Sequence, residues 1–217
     1  MADPTDILED LLKRYPVLGE CRKDILKAYD ILVTCYEKGN KVLVAGNGGS
    51  AADAEHIVGE LMKGFMKQRE LSDKVKSLII KGNAELGSVL AEKLQGALPA
   101  IALTSQSSIF TAFVNDVDAD LVFAQQVFGY GKPKDVFIGL TTSGNSPNIV
   151  FAAYMANVLG LKTIGLTGRA GGRLKELCDV TIRVPADSTP YVQELHLPVY
   201  HALYAMVKEE IFFDITG

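Results

Sequence analysis

Five short runs of Val, Ile and Leu constrain the fold of this 217-residue chain more than any other feature. They do not alternate strictly between apolar and polar residues, which is typical of strands buried on both faces of a parallel sheet. Segments with helical periodicity separate the runs, so the pattern is one of alternating strands and helices. We therefore predict an α/β fold around a five-stranded parallel sheet, with strands at residues 41–45, 99–103, 135–140, 162–166 and 179–184.

The helical pattern predicts two N-terminal helices, at 5–14 and 21–37, and a long final helix at 190–213. Thr189 is the expected N-cap of the final helix, and Pro198 is expected to kink it or to mark a second start. Residues 66–98 are charged and helix-prone, and we interpret them as a helical insertion. We expect residues 1–217 to form a single domain that begins with the helices of segment 1–38.

The composition excludes several classes of protein. An apolar fraction of 48% is typical of a globular chain rather than a disordered one. A pI near 5.4 argues against nucleic-acid binding, and no run of about 18 apolar residues predicts a membrane span. The three cysteines are scattered and lack metal-binding spacing, which favours a reduced, cytoplasmic environment.

A glycine-rich loop follows the first predicted strand. Its sequence, Gly46-Asn47-Gly48-Gly49-Ser50, opens a predicted helix, and the free N–H groups at a helix start favour an anion. The loop also fits the loose Gly-x-Gly-x-x-Ala pattern of dinucleotide-binding proteins. That motif needs a second strand about 30 residues further on that ends in an acidic residue, and the sequence has none there, so this signal is weak. A tight turn that binds nothing is the structural alternative.

A second loop, after the third predicted strand, is rich in hydroxyl groups. Thr141, Thr142, Ser143 and Ser146 precede Pro147, which is suited to the first position of a helix. Hydroxyl groups beside a helix start suit a phosphate, although Ser146 alone is also explained as a helix cap. Because both loops follow parallel strands, they are expected at the same edge of the sheet, which favours a phosphorylated small molecule.

Candidate acid–base residues lie on two distant predicted helices. His56 and Glu60 are four residues apart and share a helix face, and Gln193 and His201 lie on the final helix. A carboxylate and an imidazole suit proton transfer between adjacent carbons of a sugar. Two His, one Glu and one Gln also form a donor set compatible with Zn²⁺.

Together these motifs resemble the sugar isomerase (SIS) domain of phosphoheptose isomerases. The resemblance covers about residues 20–213, apart from the insertion. It rests on Gly46-Asn47-Gly48-Gly49-Ser50 with Asp53-x-x-His56-x-x-x-Glu60, on Asn115-Asp116, on Thr141-x-Ser143-Gly144-Asn145-Ser146, on Leu166-Thr167-Gly168, and on Gln193-Glu194-x-His196 with His201.

The resemblance implies a Rossmann-like three-layer α/β/α sandwich and an enzyme that converts sedoheptulose 7-phosphate into D-glycero-D-manno-heptose 7-phosphate through an enediol. It implies that Glu60 is the catalytic base and His201 its acid/base partner. It further implies a homotetramer with sites built from more than one subunit, and zinc held by His56, Glu60, Gln193 and His201. The implied substrate-binding residues are Asn47, Gly48, Ser50, Glu60, Asn115, Asp116, Thr141, Thr142, Ser143, Ser146 and Gln193.

Two other functions stay open at this stage. A non-catalytic SIS module would bind a sugar phosphate or a replication initiator protein, and another SIS enzyme would isomerise a different sugar phosphate. The chain departs from the family pattern at Thr141, where Ser is common, and at Pro190, where some members carry Asp. The insertion at 66–98 is longer than the pattern predicts and is expected to affect the rim of the site.

Overall fold

A computed structural model of the protein describes residues 3–213. All its strands within that range form one parallel sheet in the order β2-β1-β3-β4-β5. The sheet lies between two layers of helices, so the predicted α/β/α fold class is confirmed. The strands are β1 (Val42–Gly46), β2 (Ala100–Ala102), β3 (Val136–Leu140), β4 (Lys162–Thr167) and β5 (Val180–Arg183).

Ten α-helices surround the sheet in the described range. The two N-terminal helices are separated by a 3₁₀ turn at Pro16–Cys21 rather than by an open loop. The helices are α1 (Pro4–Arg14), α2 (Arg22–Glu37), α3 (Gly49–Met62), α4 (Asp73–Gly82), α5 (Ala84–Lys93), α6 (Ser107–Asp116), α7 (Val122–Tyr130), α8 (Pro147–Val158), α9 (Leu174–Leu177) and α10 (Thr189–Phe213).

The central strands are buried throughout because helices cover both faces of the sheet. Every residue of β1 and β3 is buried, and the two strands pair in register from Val42 opposite Val136 to Gly46 opposite Leu140. This burial explains why the strands appear in the sequence as apolar runs without alternation. It also places the loops after β1 and β3 side by side at one edge of the sheet.

Two apolar cores lie on opposite faces of the sheet. One contains buried residues of α1, α2, α3 and α10, among them Leu8, Leu32, Ile57 and Leu203. The other lies under α7 and α8 and includes Phe123. Because α3 and α10 share the first core, side chains from early and late parts of the chain meet there.

The final helix differs from its predicted form at its beginning. Thr189 is the first helical residue rather than the N-cap, and the carbonyl of Ser188 accepts the first helical bond, from the Val192 N–H. The helix also continues through Pro198 without the second start that we predicted as one alternative. Pro198 lacks a backbone donor, and the residues that follow it, including Val199 and Leu203, are buried in the core. Within residues 3–213, no helix has the length and hydropathy to cross a membrane.

Candidate active site

The glycine loop after β1 has a backbone that only small residues allow. Gly48 has a φ of 56°, in the left-handed region that favours glycine. A Cβ on Gly46 would lie 2.2 Å from the carbonyl oxygen of Ser50, so the turn into α3 leaves no space for a side chain. This tight turn buries Ser50 at the first turn of α3.

The hydroxyl loop after β3 is not explained by helix capping. Ser146 precedes α8, yet its side chain makes no cap hydrogen bond, so the capping interpretation is wrong for this residue. Its Oγ instead lies 2.8 Å from Thr141 Oγ1. Ser143 Oγ accepts a hydrogen bond of 3.1 Å from the Asn145 N–H. The loop therefore presents clustered hydroxyl groups at the start of α8.

The two loops meet, as the parallel sheet predicts. The side chains of Asn47 and Asn148 exchange two amide hydrogen bonds of 2.9 Å, which join the glycine loop to α8. Gln193 of α10 covers the glycine loop, because a Cβ on Gly49 would lie 2.6 Å from its Nε2 atom. The loops that follow β1 and β3 and the first turns of the final helix thus lie next to one another at one edge of the sheet.

The candidate acid–base residues form a cluster between α3 and α10. His56 Nε2 lies 3.3 Å from Glu60 Oε1 on the same face of α3. The rings of His56 and His201 are edge-to-face, with their centroids 5.1 Å apart, and Phe65 packs on the other side of His201 at the same centroid distance. A carboxylate and two imidazoles from distant parts of the chain are therefore neighbours within one subunit.

The Tyr200 hydroxyl fixes the protonation pattern of His56. It donates a hydrogen bond of 3.1 Å to Asp53 Oδ1, and it lies 3.1 Å from His56 Nδ1. Since a tyrosine hydroxyl has one proton, it accepts from the His56 Nδ1–H, and Nε2 is the ring nitrogen left to face Glu60. The Glu60 carboxylate beside Nε2 favours a proton or a cation between the two atoms.

Two polar atoms of the cluster are buried without a hydrogen-bond partner. They are Glu60 Oε2 and His201 Nε2. Burial, together with the nearby His56, lowers the pKa of His201, so its ring is neutral at pH 7. Unpaired buried polar atoms are uncommon in native proteins, so these two atoms are candidates for contact with a ligand.

Comparison with known proteins gives the family. A model of the SIS domain matches residues 9–96 and 83–168. The phosphoheptose isomerase of Rhodospirillum rubrum is 37% identical over 194 residues, which cover 89% of each chain. That of Aneurinibacillus thermoaerophilus is 40% identical over 83% of this chain and 78% of its own length. This chain belongs to the phosphoheptose isomerase family.

Solved structures agree with this assignment. A phosphoheptose isomerase from Francisella tularensis has a TM-score of 0.71 and 31% identity, and the match covers 93% of this chain and 94% of that protein. A phosphoheptose isomerase from Neisseria gonorrhoeae has a TM-score of 0.70 at 29% identity, over 93% and 96% of the two chains. The family and the fold predicted from the motifs are therefore confirmed.

The residues implied for zinc suit the metal by their chemistry. The Nε2 lone pair of His56, the unpaired Oε2 of Glu60 and the unpaired Nε2 of His201 are an N/O donor set of the kind that Zn²⁺ takes. They are not arranged as a finished site, because residues 3–213 contain no group of three or more His, Cys, Asp or Glu side chains placed to hold a metal ion.

The predicted pair Asn115 and Asp116 is not brought to this cluster. The pair lies at the exposed end of α6, where Asn115 Nδ2 donates to Asp116 Oδ1 at 2.8 Å. Within the described chain, no hydrogen bond links either residue to His56, Glu60 or His201. His196, part of the family motif, is fully buried, and burial lowers its pKa to about 4, as expected for a neutral core residue.

Three residues around the cluster were not predicted as site residues. Asp53 and Tyr200 orient His56, and Lys208 donates hydrogen bonds to the backbone carbonyls of Glu60 and Lys63, where α3 ends. The spacing of Asp53 and His56, three residues apart on a helix, is a sequence signal that places them on one face. No comparable signal indicates Tyr200, because its contacts join residues 144 positions apart.

A cavity of about 420 Å³ borders His201 on the side of α1. Its walls are mainly apolar and include Ile7, Phe65, Pro198 and Ala202. Arg14 and Tyr15 also line this cavity, and none of its lining residues belongs to the loops after β1 and β3.

Proposed function

We propose that the protein isomerises sedoheptulose 7-phosphate to D-glycero-D-manno-heptose 7-phosphate at the cluster between α3 and α10. The observation that carries the proposal is the convergence of Glu60 and His201 around His56. The reaction moves one proton from C1 to C2 and shifts the carbonyl from C2 to C1. It therefore needs a base near the carbon atoms and a donor near the oxygens.

The hydroxyl loop would hold the phosphate. Thr141, Ser143 and Ser146 offer hydroxyl groups beside the start of α8, and Ser50 lies at the start of α3. Two helix starts favour an anion through the positive ends of their dipoles. Asn47, Gly48 and Thr142 would contact the sugar from the two loops and Gln193 from α10, and Asn115 and Asp116 would contribute from the end of α6 of a neighbouring subunit.

Glu60 is proposed as the base and His201 as its acid/base partner. The buried, unpaired Oε2 of Glu60 is the oxygen available to take the C1 proton and return it to C2. Because a carboxylate that binds a metal tightly is a weaker base, this role competes with the role of Glu60 as a zinc ligand. His201, neutral because burial lowers its pKa, is suited to exchange protons with O1 and O2 as the enediol forms and collapses. Burial of both groups strengthens their electrostatic effect on the developing charge.

Zinc is the proposed cofactor, held by His56, Glu60, Gln193 and His201. When bound, it would polarise the substrate carbonyl. The contacts of Tyr200 keep the His56 Nε2 lone pair available for it. Metal analysis of the purified protein by mass spectrometry, before and after chelation, tests whether zinc is present.

We also propose a homotetramer in the cytoplasm. Exposed Phe128, Phe151 and Tyr154 on α7 and α8 form an apolar surface of the kind that subunit contacts cover. The three cysteines are free, and burial raises the pKa of Cys21 to about 11 and of Cys35 and Cys178 to about 12, so they persist as thiols. Free thiols suit a reducing compartment.

Incubation with a panel of C5, C6 and C7 ketose phosphates in D₂O tests the function. We expect the seven-carbon ketose to form an aldose with deuterium incorporated at C2, followed by NMR. Faster conversion of a shorter ketose would assign a different substrate, whereas binding of the sugar without any exchange would favour the non-catalytic SIS module. The presence of Glu60, Gln193 and His201 together favours the enzyme.

A further inference from the structure

Helices α4 and α5 form an antiparallel hairpin with little support from the rest of the protein. One residue, Asn83, joins them, and an antiparallel bridge between Glu70 and Gln95 closes the open end. Helix α4 has no buried residue, and the buried residues of α5 are Gly87 and Ala91. Helices of ten residues are marginally stable in water unless an apolar face is packed.

The apolar side chains of the hairpin point outward. Gly87 packs on the backbone of Ile79 and Ile80, which identifies the side of each helix that faces the other. At about 100° per residue, Val75, Leu78, Leu86, Val89 and Leu90 lie about 60° to 160° from that side, all in the same rotational direction. Because the helices are antiparallel, both sets turn to the same face. We define this hairpin face by Val75, Leu78, Leu86, Val89 and Leu90.

The two long edges of the hairpin face carry opposite charges. Lys74 and Lys81 flank the α4 side, and Glu85 and Glu92 flank the α5 side; two further exposed charges, Asp73 at the start of α4 and Lys93 at the end of α5, have the opposite sign to the pair on their own helix. The members of each pair are seven residues apart, about 10.5 Å along a helix, so the two pairs match in spacing. All four side chains are exposed, and none makes an ion pair within residues 3–213.

We propose that the hairpin face binds the same face of a second copy of this chain. The copies would be related by a two-fold axis parallel to the helices, which places α4 of each copy over α5 of the other. The apolar side chains then form the core of a four-helix arrangement. This inference goes beyond the proposed function, since it assigns an interface and uses none of the site residues.

The charges select this arrangement over its alternative. With the axis parallel to the helices, the lysine edge of one hairpin lies beside the glutamate edge of the other, and Lys74 lies near the partner's Glu92. With the axis perpendicular to the helices, like charges would lie together along both edges. Edge charges of this kind set partner choice and orientation in helical assemblies.

Charge reversal tests the interface without disturbing a buried group. The double variant Lys74→Glu/Lys81→Glu makes both edges negative, and Glu85→Lys/Glu92→Lys makes both positive. We expect each to weaken association through the hairpin about tenfold or more, measured by sedimentation velocity over a range of concentrations. The variant that combines all four substitutions exchanges the charges of the two edges. It is expected to restore the molar mass of the unaltered protein.

A matched control reverses two exposed lysines on another helix. Lys23→Glu/Lys27→Glu on α2 alters the net charge by the same amount and is expected to leave the molar mass unchanged. Circular dichroism on every variant establishes that the fold is retained. Leu78→Glu, at a side chain that is 70% exposed, adds an independent disruption of the hairpin face.

Three outcomes would overturn the proposal. They are an unaltered protein that sediments as a monomer, double variants that keep the full molar mass, and a variant with all four substitutions that fails to recover it. The first would assign the hairpin face to a different partner, and the second would assign self-association to another surface, such as that of α7 and α8.

Discussion

Two helix pairs of this protein place their polar and apolar residues in opposite ways. Between α3 and α10, polar groups such as Glu60 and Tyr200 are buried inside an apolar core. On the α4–α5 hairpin, leucines and valines are exposed and the interior is formed by glycine and alanine. Both arrangements are costly for an isolated chain, so each indicates a ligand: a small molecule for the first and a protein surface for the second.

The α3–α10 pair and the α4–α5 hairpin also differ in the contacts that hold them in place. Helices α3 and α10 pack on the sheet and on each other, and Lys208 ties the end of α3 to α10. The hairpin is fixed at its neck, where Lys67 and Arg69 pair with the buried Glu209 of α10. A rigid cluster suits catalysis, which depends on exact placement, whereas a projecting element suits contact with another molecule.

The largest expected effect is the loss of the proposed base. Glu60→Gln keeps the size of the side chain and removes the proton acceptor, so turnover is expected to fall by about 10² or more. Steady-state kinetics with sedoheptulose 7-phosphate measures it. Glu55→Gln, exposed on the same helix, is the control. Full activity in Glu60→Gln would remove this carboxylate from the mechanism.

Removal of the hydroxyl groups tests the phosphate position. Ser143→Ala with Ser146→Ala is expected to raise KM about tenfold or more and to change kcat less, because hydrogen bonds to a charged group contribute about 1.5–3 kcal/mol each. Ser77→Ala, exposed on α4, serves as the comparison. An unchanged KM would place the phosphate elsewhere.

Tyr200→Phe tests the orientation of His56. The variant keeps the ring and loses the hydroxyl, so the proton of neutral His56 is no longer held on Nδ1, and activity is expected to fall about tenfold. NMR of the ring nitrogens reports the tautomer directly, and the chain has three histidines to assign. Tyr204→Phe is the matched control, since its buried hydroxyl has no hydrogen-bond partner. An unaltered His56 tautomer in Tyr200→Phe would contradict the assigned role.

The smallest expected effect concerns the neck of the hairpin. Burial alone would raise the pKa of Glu209, but hydrogen bonds from Lys67 and Arg69 outweigh it, and the pKa is lowered from 4.5. A lowered pKa contributes stability above the unfolded value, and this contribution is lost as the pH falls through the folded value. Glu209→Gln is therefore expected to lower the free energy of unfolding at pH 7 by about 1–3 kcal/mol.

Urea unfolding of Glu209→Gln at several pH values measures this difference. The difference should shrink as the pH falls from about 4.5, the unfolded value, through the lower folded value, where the carboxylate of the native protein becomes protonated. Glu37→Gln, at the exposed end of α2, is expected to change little at any pH. A constant difference across the range would mean that packing rather than charge is responsible.

The sequence predicts the parts of this protein that local rules control. The strands, their parallel arrangement and the meeting of the two loops follow from apolar runs and from the position of small residues after β1 and β3. The start of α10 was one residue off, because Ser and Thr at 188 and 189 are equally good caps. The contacts of Tyr200 and the outward face of Leu78 depend on how distant helices pack, which periodicity alone does not determine.

The separation of 144 residues between His56 and Tyr200 has a consequence for how the enzyme is made. On the ribosome, the chain up to β5 already contains the loops after β1 and β3, yet Tyr200 and His201 have not been synthesised. Until α10 docks, the apolar faces of α1, α2 and α3 lack their cover. The nascent protein therefore passes through a stage at which it exposes core surface to chaperones and has no means of catalysis.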